Sequence, residues 1–223
     1  MKKIAIIVAG GRGTRFGSDL PKQFLPLAGK PILAWALRAF RGADRIVVAL
    51  PSDQMTRWQQ LYAQCDDPVE HTVVPGGETR WHSVRNALTA VAPSLADDDV
   101  VAVHDAARPL ASQQLIERIF AAAAADGGAV PCVPLADSVR QIDGDTSHAL
   151  DRSLLRAVQT PQAFLARPLL DAYDLGYRPE FTDDASVFEF AGHRVTLVEG
   201  EPNNFKITRP ADLTLAQLLL DAQ

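Results

Sequence analysis

The sequence predicts an α/β fold built on a mainly parallel sheet flanked by helices, and two observations carry that expectation. Short apolar runs alternate with longer helical patterns along most of the chain. Those runs are apolar throughout rather than at every second position, as expected of strands covered on both faces. Strand–helix–strand alternation then implies right-handed crossovers between parallel strands. The length, 223 residues, suits a single domain spanning 1–223, since such folds often run to about 200–250 residues.

Each element has its own signal. Lys3–Val8, Arg45–Leu50, His71–Val74, Val100–His104 and Ala129–Val133 read as buried strands. Pro31 suits the start of a helix reaching Phe40, and Ser52 suits the cap of one reaching Cys65, since proline and serine favour helix N-termini. Glu78–Val91 is a third helix and Ser112–Ala125 a fourth, in which Leu115, Ile116, Ile119 and Phe120 share one face. Leu135–Leu155 breaks the rhythm: Ser138–Ile142 alternates, Asp143-Gly144-Asp145 is turn-prone, and a polar strand returns. This predicts a projecting β-hairpin, read either as a solvated hairpin or as an arm embracing a second subunit. Beyond it come a strand at Val158–Thr160, helices near Pro168–Leu175 and at Asp184–Ala191, a strand at Val195–Val198, and a closing helix from Pro210.

Composition narrows the function classes. Lys+Arg number 22 against 27 Asp+Glu, a net charge of −5, with 47% hydrophobic and 22% charged residues. That balance is ordinary for a globular protein and argues against coating nucleic acid or anionic membrane. The apolar run at the N-terminus meets Gly10-Gly11-Arg12 too early for a signal peptide, and no run is long enough to span a membrane. Cys65 and Cys132 form no CxxC pair and read as reduced thiols of a cytoplasmic protein; His71, His82, His104, His148 and His193 show no zinc-ligand spacing.

The chemistry begins where the first strand ends, at Ala9-Gly10-Gly11-Arg12-Gly13-Thr14-Arg15-Phe16-Gly17. Glycines let backbone N–H groups approach phosphate oxygens. The third glycine of a dinucleotide fingerprint would fall at Phe16, and no P-loop occurs. Arg15 and then Pro21-Lys22-Gln23 instead place two cations beside the loop, suited to a triphosphate whose oxygens gain charge as it is cleaved. This arrangement resembles the nucleotidyltransferases, with their GxGxRx(n)PK signature.

Later blocks narrow the resemblance. They are Gly76-Gly77-Glu78-Thr79-Arg80-Trp81-His82-Ser83, His104-Asp105-Ala106-Ala107-Arg108-Pro109, Asp151-Arg152, Thr160-Pro161-Gln162, Thr182-Asp183-Asp184-Ala185-Ser186 and Asn204-Phe205-Lys206-Ile207-Thr208. In this order they resemble the 2-C-methyl-D-erythritol 4-phosphate cytidylyltransferase family of the non-mevalonate isoprenoid pathway, over the whole chain. The resemblance implies a Rossmann-like fold, a homodimer joined by the arm at about 135–155, and use of CTP with Mg2+. It further implies that Arg15 and Lys22 stabilise the transition state and that Arg152 and Lys206 position the sugar phosphate. CTP contacts map onto Val8, Ala9, Gly10, Gly11 and Gly13, onto Gly77 and Ser83, and onto Asp105 and Ala106. Arg108, Thr160 and Thr182 fall where the family surrounds methylerythritol phosphate. Asp105 is the best placed carboxylate for the metal, with a strand-end cap as its other reading.

One departure concerns the loop, Ala9-Gly10-Gly11, where the family more often has Ala-Ala-Gly. The same loop occurs in the related ribitol-5-phosphate cytidylyltransferases, which share PKQ, TPQ and the late lysine. Ala107 and Phe181–Ser186 lean towards methylerythritol phosphate. A rival from another class is a non-catalytic CTP-binding module, which could dispense with Lys22, Arg152 and Lys206 together. With no second catalytic domain after residue 223, the form expected is the single enzyme rather than the fused one.

Overall fold

The computed structural model describes residues 1–10 and 20–222. In chain order its elements are β1 (Lys3–Val8), β2 (Pro26–Leu27), β3 (Lys30–Pro31), α1 (Ile32–Ala39), β4 (Arg45–Leu50), α2 (Met55–Tyr62), β5 (Thr72–Pro75), α3 (Arg80–Val91), β6 (Val100–Asp105), α4 (Gln113–Asp126) and β7 (Gly128–Pro134). There follow β8 (Val139–Asp143), β9 (Thr146–Leu150), β10 (Arg156–Val158), β11 (Gln162–Leu165), α5 (Ala166–Asp174), α6 (Asp184–Phe190), β12 (Thr196–Glu199) and α7 (Pro210–Asp221).

Four parallel strands, in the order β5-β4-β1-β6, form the heart of the main sheet. The chain moves outward from β1 to β4 and β5, then returns to β6 on the other side of β1. The strand order therefore reverses between β1 and β6, and in open α/β sheets ligands bind at the carboxyl ends flanking such a switch point. Here those ends are Val8 and Asp105, which are register partners. Beyond β6 the sheet is mixed. β11 runs antiparallel between β6 and β7, and β12 pairs in parallel with β7.

Helices cover both faces, which is why the strands are continuously apolar. Ala5, Ile7, Val48, Leu50, Val100 and Ala102 pack with Leu33, Leu37, Phe40, Trp58, Leu115, Ile119 and Phe120 on one face. Ile4, Ile6, Val47, Ala49, Val101 and Val103 pack with Val84, Leu88, Leu169, Tyr173 and Phe188 on the other. Each fully buried side chain of this size contributes about 1.5–3 kcal/mol relative to exposure. The two layers hold the strand ends, and so the site, in fixed register.

Four features differ from expectation. Ser52 makes no side-chain cap; it opens a 3₁₀ turn, Ser52–Gln54, and α2 begins only at Met55. The small hairpin β2–β3 turns at Ala28 and Gly29, both at positive φ (46° and 76°), and an alanine there concealed the turn signal. The strand placed at Val158–Thr160 ends at Val158, where β10 closes. Pro161, lacking an N–H, interrupts the ladder, which resumes as the unforeseen β11.

The segment at 135–155 does form a hairpin. Among the described residues β8 and β9 pair only with each other, in a separate two-stranded sheet, turning at Gly144 with φ 56°. Residues Arg140 to Ala149 are all exposed, and Ile142 retains 78% of its surface. No helix among the described residues is long and apolar enough to cross a membrane.

Candidate active site

A cleft of about 260 Å³ opens at the switch point. Val8, Ala9 and Gly10 leave the end of β1, and Asp105, Ala106 and Ala107 leave β6; Gly77–Arg80 and Ser83 come from the start of α3. Lys22 and Gln23 line it from the short 3₁₀ turn Lys22–Phe24, and Lys206 from the segment before α7.

Backbone bonds tie these segments together. Ala9 N–H donates to the Ala49 carbonyl at 2.9 Å and Ala106 N–H to the Val8 carbonyl at 3.0 Å. Gln23 Nε2 donates to the Ala9 carbonyl at 3.0 Å. Ser83 Oγ accepts from Gly77 N–H at 3.0 Å and donates to the Thr79 carbonyl at 3.0 Å, folding the glycine turn over the helix start. Gly77 is required sterically: a Cβ there would lie 2.3 Å from the His82 Cβ. Lys22 Nζ donates to the Ile207 carbonyl at 2.6 Å, and Ile207 N–H to the Ala107 carbonyl at 2.8 Å. Lys206 is thereby fixed beside the end of β6.

Asp105 is the electrostatic centre, only 8% exposed. Its Oδ1 accepts from Arg80 Nε at 3.2 Å, its Oδ2 from Lys206 Nζ at 2.7 Å, and Arg108 Nε stands 3.9 Å from Oδ2. Burial by itself pushes the carboxyl up, but Arg80, Lys206 and Arg108 together outweigh it and hold the group well below the usual carboxylate range. Behind it, the Arg108 carbonyl accepts from His104 Nε2 at 2.9 Å, so Nδ1 is the acceptor for the Thr160 hydroxyl at 3.1 Å. Burial pushes His104 down to about 4 and keeps it neutral at ordinary pH.

The residues expected from sequence separate into groups. Val8, Ala9, Gly10, Lys22, Gly77, Ser83, Asp105, Ala106 and Lys206 share the cleft. Gly11, Gly13 and Arg15 lie outside the described residues. Thr160 is buried behind Asp105, where its hydroxyl accepts the Asp105 N–H at 3.0 Å and so is already engaged. Arg108 likewise does not line the cleft; its Nη1 donates to the Asn204 carbonyl at 2.7 Å. Thr182 opens onto a separate small cavity with Trp81, Tyr173 and Phe181. Arg152 is exposed at the base of the hairpin and donates to the Ala136 carbonyl. Arg80, Thr79 and Gln23 were missed as site residues. A cation in the first turn opposes the helix dipole, which was the available signal that Arg80 must have carboxylate partners.

The donor set also bears on a divalent metal. Among the described residues Asp105 is the only buried carboxylate lining the cleft, and both its oxygens already face cations. Among them, too, no group of three or more acidic, histidine or cysteine side chains is placed to hold a metal. This chemistry does not fit a magnesium caged by protein; it fits one carried into the cleft on nucleotide phosphates, which magnesium prefers to all-protein ligation.

A switch-point cleft walled by glycine-turn backbone on one side and lysines on the other, on a Rossmann-like sheet, has the form of a nucleotidyltransferase. The family described as 2-C-methyl-D-erythritol 4-phosphate cytidylyltransferase (IspD) matches residues 3–222, and the chain belongs to it. A relative of that name from Porphyromonas gingivalis is 47% identical over 221 residues, covering 98% of each chain. The solved structure of the Thermus thermophilus enzyme of that name superposes with a TM-score of 0.81 at 36% identity, covering 99% of this chain and 100% of the other. That from Francisella tularensis gives 0.83 at 32% identity, covering 98% and 99%.

Proposed function

We propose that this chain joins CTP to 2-C-methyl-D-erythritol 4-phosphate, forming 4-diphosphocytidyl-2-C-methyl-D-erythritol and pyrophosphate for isoprenoid precursor synthesis. The observation that carries the reading is the convergence of Val8–Gly10, Gly77, Ser83 and Ala106 with Lys22 and Lys206 on one cleft. A phosphate oxygen of the sugar attacks the α-phosphorus of CTP, and the bond to the bridging oxygen of the β-phosphate breaks as pyrophosphate leaves. The nucleophile is already anionic, since a phosphate monoester loses its second proton at about pH 6, so no general base is required. His104 is unsuited to that role, with both ring nitrogens bonded internally.

The glycine turns let the nucleotide approach the backbone closely, and Lys22 with Arg15 answers the charge that grows on the phosphoryl oxygens. Lys206 and Arg152 hold the sugar phosphate. Mg2+ bound to the CTP phosphates would supply positive charge against the repulsion between two polyanions, beside Lys22 and Lys206. Arg152 lies on the hairpin base rather than in its own cleft, which supports a homodimer in which the arm carries it to the partner's site. The free thiols Cys65 and Cys132 suit the cytoplasm.

The test supplies CTP and Mg2+ with either methylerythritol 4-phosphate or ribitol 5-phosphate and follows pyrophosphate release. Turnover with the former is expected. Preference for ribitol phosphate overturns the substrate assignment but keeps the chemistry, and CTP binding without pyrophosphate release leaves a binding module.

A further inference from the structure

Arg80 has no role in the mechanism above, yet it is a cation of the cleft braced by two carboxylates. It sits at the first position of α3, against the helix dipole. Its Nε meets Asp105 Oδ1 at 3.2 Å, and its Nη2 meets Asp184 Oδ2 at 2.7 Å. Asp184, the first residue of α6, is wholly buried, and its other oxygen accepts from the Tyr173 hydroxyl at 2.7 Å. Arg80 thus bridges two buried carboxylates from a fixed position, while about a quarter of its side chain (26%) remains exposed. The bridge also gives the Thr182–Ser186 block a task. Asp183 and Ser186 cap α6 reciprocally, which holds Asp184 in place behind Arg80.

The consequence falls on Lys206. Arg80 occupies Oδ1 of Asp105, leaving Oδ2 to be shared by Lys206 and Arg108. We propose that Arg80 is a positioning residue for the sugar phosphate, an inference that rests on the functional reading above. By taking up part of the Asp105 charge, it keeps the Lys206 ammonium at the cleft yet free to exchange onto an incoming phosphate. Without Arg80, Asp105 directs its whole charge to Lys206 and Arg108, and the cleft loses one positive charge. Both changes weaken phosphate binding. The triphosphate side, served by Lys22 and the glycine turns, is left in place.

The experiment compares wild type, Arg80→Gln and the charge-balanced double variant Arg80→Gln/Asp184→Asn by steady-state pyrophosphate release and thermal unfolding. Arg80→Gln is expected to lower Tm and to raise KM for methylerythritol 4-phosphate at least tenfold, with KM for CTP and kcat moving less than threefold. The double variant removes the orphaned Asp184 charge, so it is expected to regain most of the Tm while keeping the raised KM. If its KM returns to within twofold of wild type, Arg80 serves only to neutralise Asp184 and the inference fails. Should the glutamine variants not fold, Arg80→Lys keeps the cleft charge and is expected to hold KM for methylerythritol 4-phosphate within threefold of wild type; a tenfold rise despite the retained charge overturns the inference. Wild type without turnover on this sugar phosphate overturns the functional reading instead, before any variant is compared.

Discussion

Replacing Asp105 by asparagine removes the buried negative charge that Lys206, Arg80 and Arg108 share. Lys206 stands at 2.7 Å, Arg80 at 3.2 Å and Arg108 at 3.9 Å from its oxygens. A unit charge pair at about 4 Å in an effective dielectric of about 20 is worth about 4 kcal/mol before desolvation. Burial of Asp105 opposes that gain, and the contacts do not add. Breaking a buried pair by removing one partner costs about 3–5 kcal/mol, so that is the expected loss. For a chain of this size, each kcal/mol shifts Tm by about 2–4 °C, giving a fall of about 6–20 °C. The pH dependence supplies the sharper check. The folded carboxyl titrates well below its unfolded value of about 3.9. Its stabilisation is therefore complete above about pH 5 and is lost as pH falls towards the folded value, by up to about 1.4 kcal/mol per pH unit. Chemical unfolding of wild type and variant in parallel isolates this group, because every other carboxylate is common to both. The gap between them should be constant from about pH 7 to about pH 5 and narrow below about pH 4. A gap that stays constant down to about pH 3, or a Tm difference below about 2 °C at neutral pH, would refute the reasoning.

Lys22→Ala should lower kcat by about 10²–10³, equivalent to about 2.7–4 kcal/mol, with folding intact; full turnover at saturating substrates would remove Lys22 from the transition state. Gly77→Ala forces a Cβ to within 2.3 Å of the His82 Cβ. The turn must shift, at a cost of about 1–3 kcal/mol, and KM for CTP should rise while KM for the sugar phosphate does not. Replacing residues 137–151 by a short glycine linker should convert a dimer to a monomer in sedimentation and abolish turnover while leaving the core's Tm within a few degrees. A monomeric wild type, or a shortened chain that stays dimeric, would show that the hairpin is no dimerisation arm.

Much of this was legible along the chain because it depends on neighbours in sequence. Lys3–Val8 and Arg45–Leu50 are strands in the structure with the bounds their apolar runs predicted. The hairpin was legible from its alternation and its Asp143-Gly144-Asp145 turn. Ser112 caps α4, accepting from Leu115 N–H at 3.0 Å. The glycine turns were readable because a missing Cβ is itself a local fact, and Gly77 has a neighbour that only glycine permits. Local signals failed at Ser52, an exposed residue that follows Pro51 and opens a 3₁₀ turn instead of capping α2, and where proline punctuated a strand pairing set by distant partners, as between β10 and β11.

The sequence by itself determined an α/β fold with a glycine-rich strand end, a PKQ turn and an exposed hairpin, and with them the class of chemistry. Only the tertiary structure decided which polar groups meet and which are already spent. Thr160, expected beside the substrate, has its hydroxyl between His104 and the Asp105 amide, partners no sequence pattern foretells. Arg80 and Asp184, 104 positions apart, proved to be one ion pair. Hydrogen bonds and charge pairs act over a few ångströms of space, whereas sequence records only separation along the chain; the sheet register brings the two into correspondence.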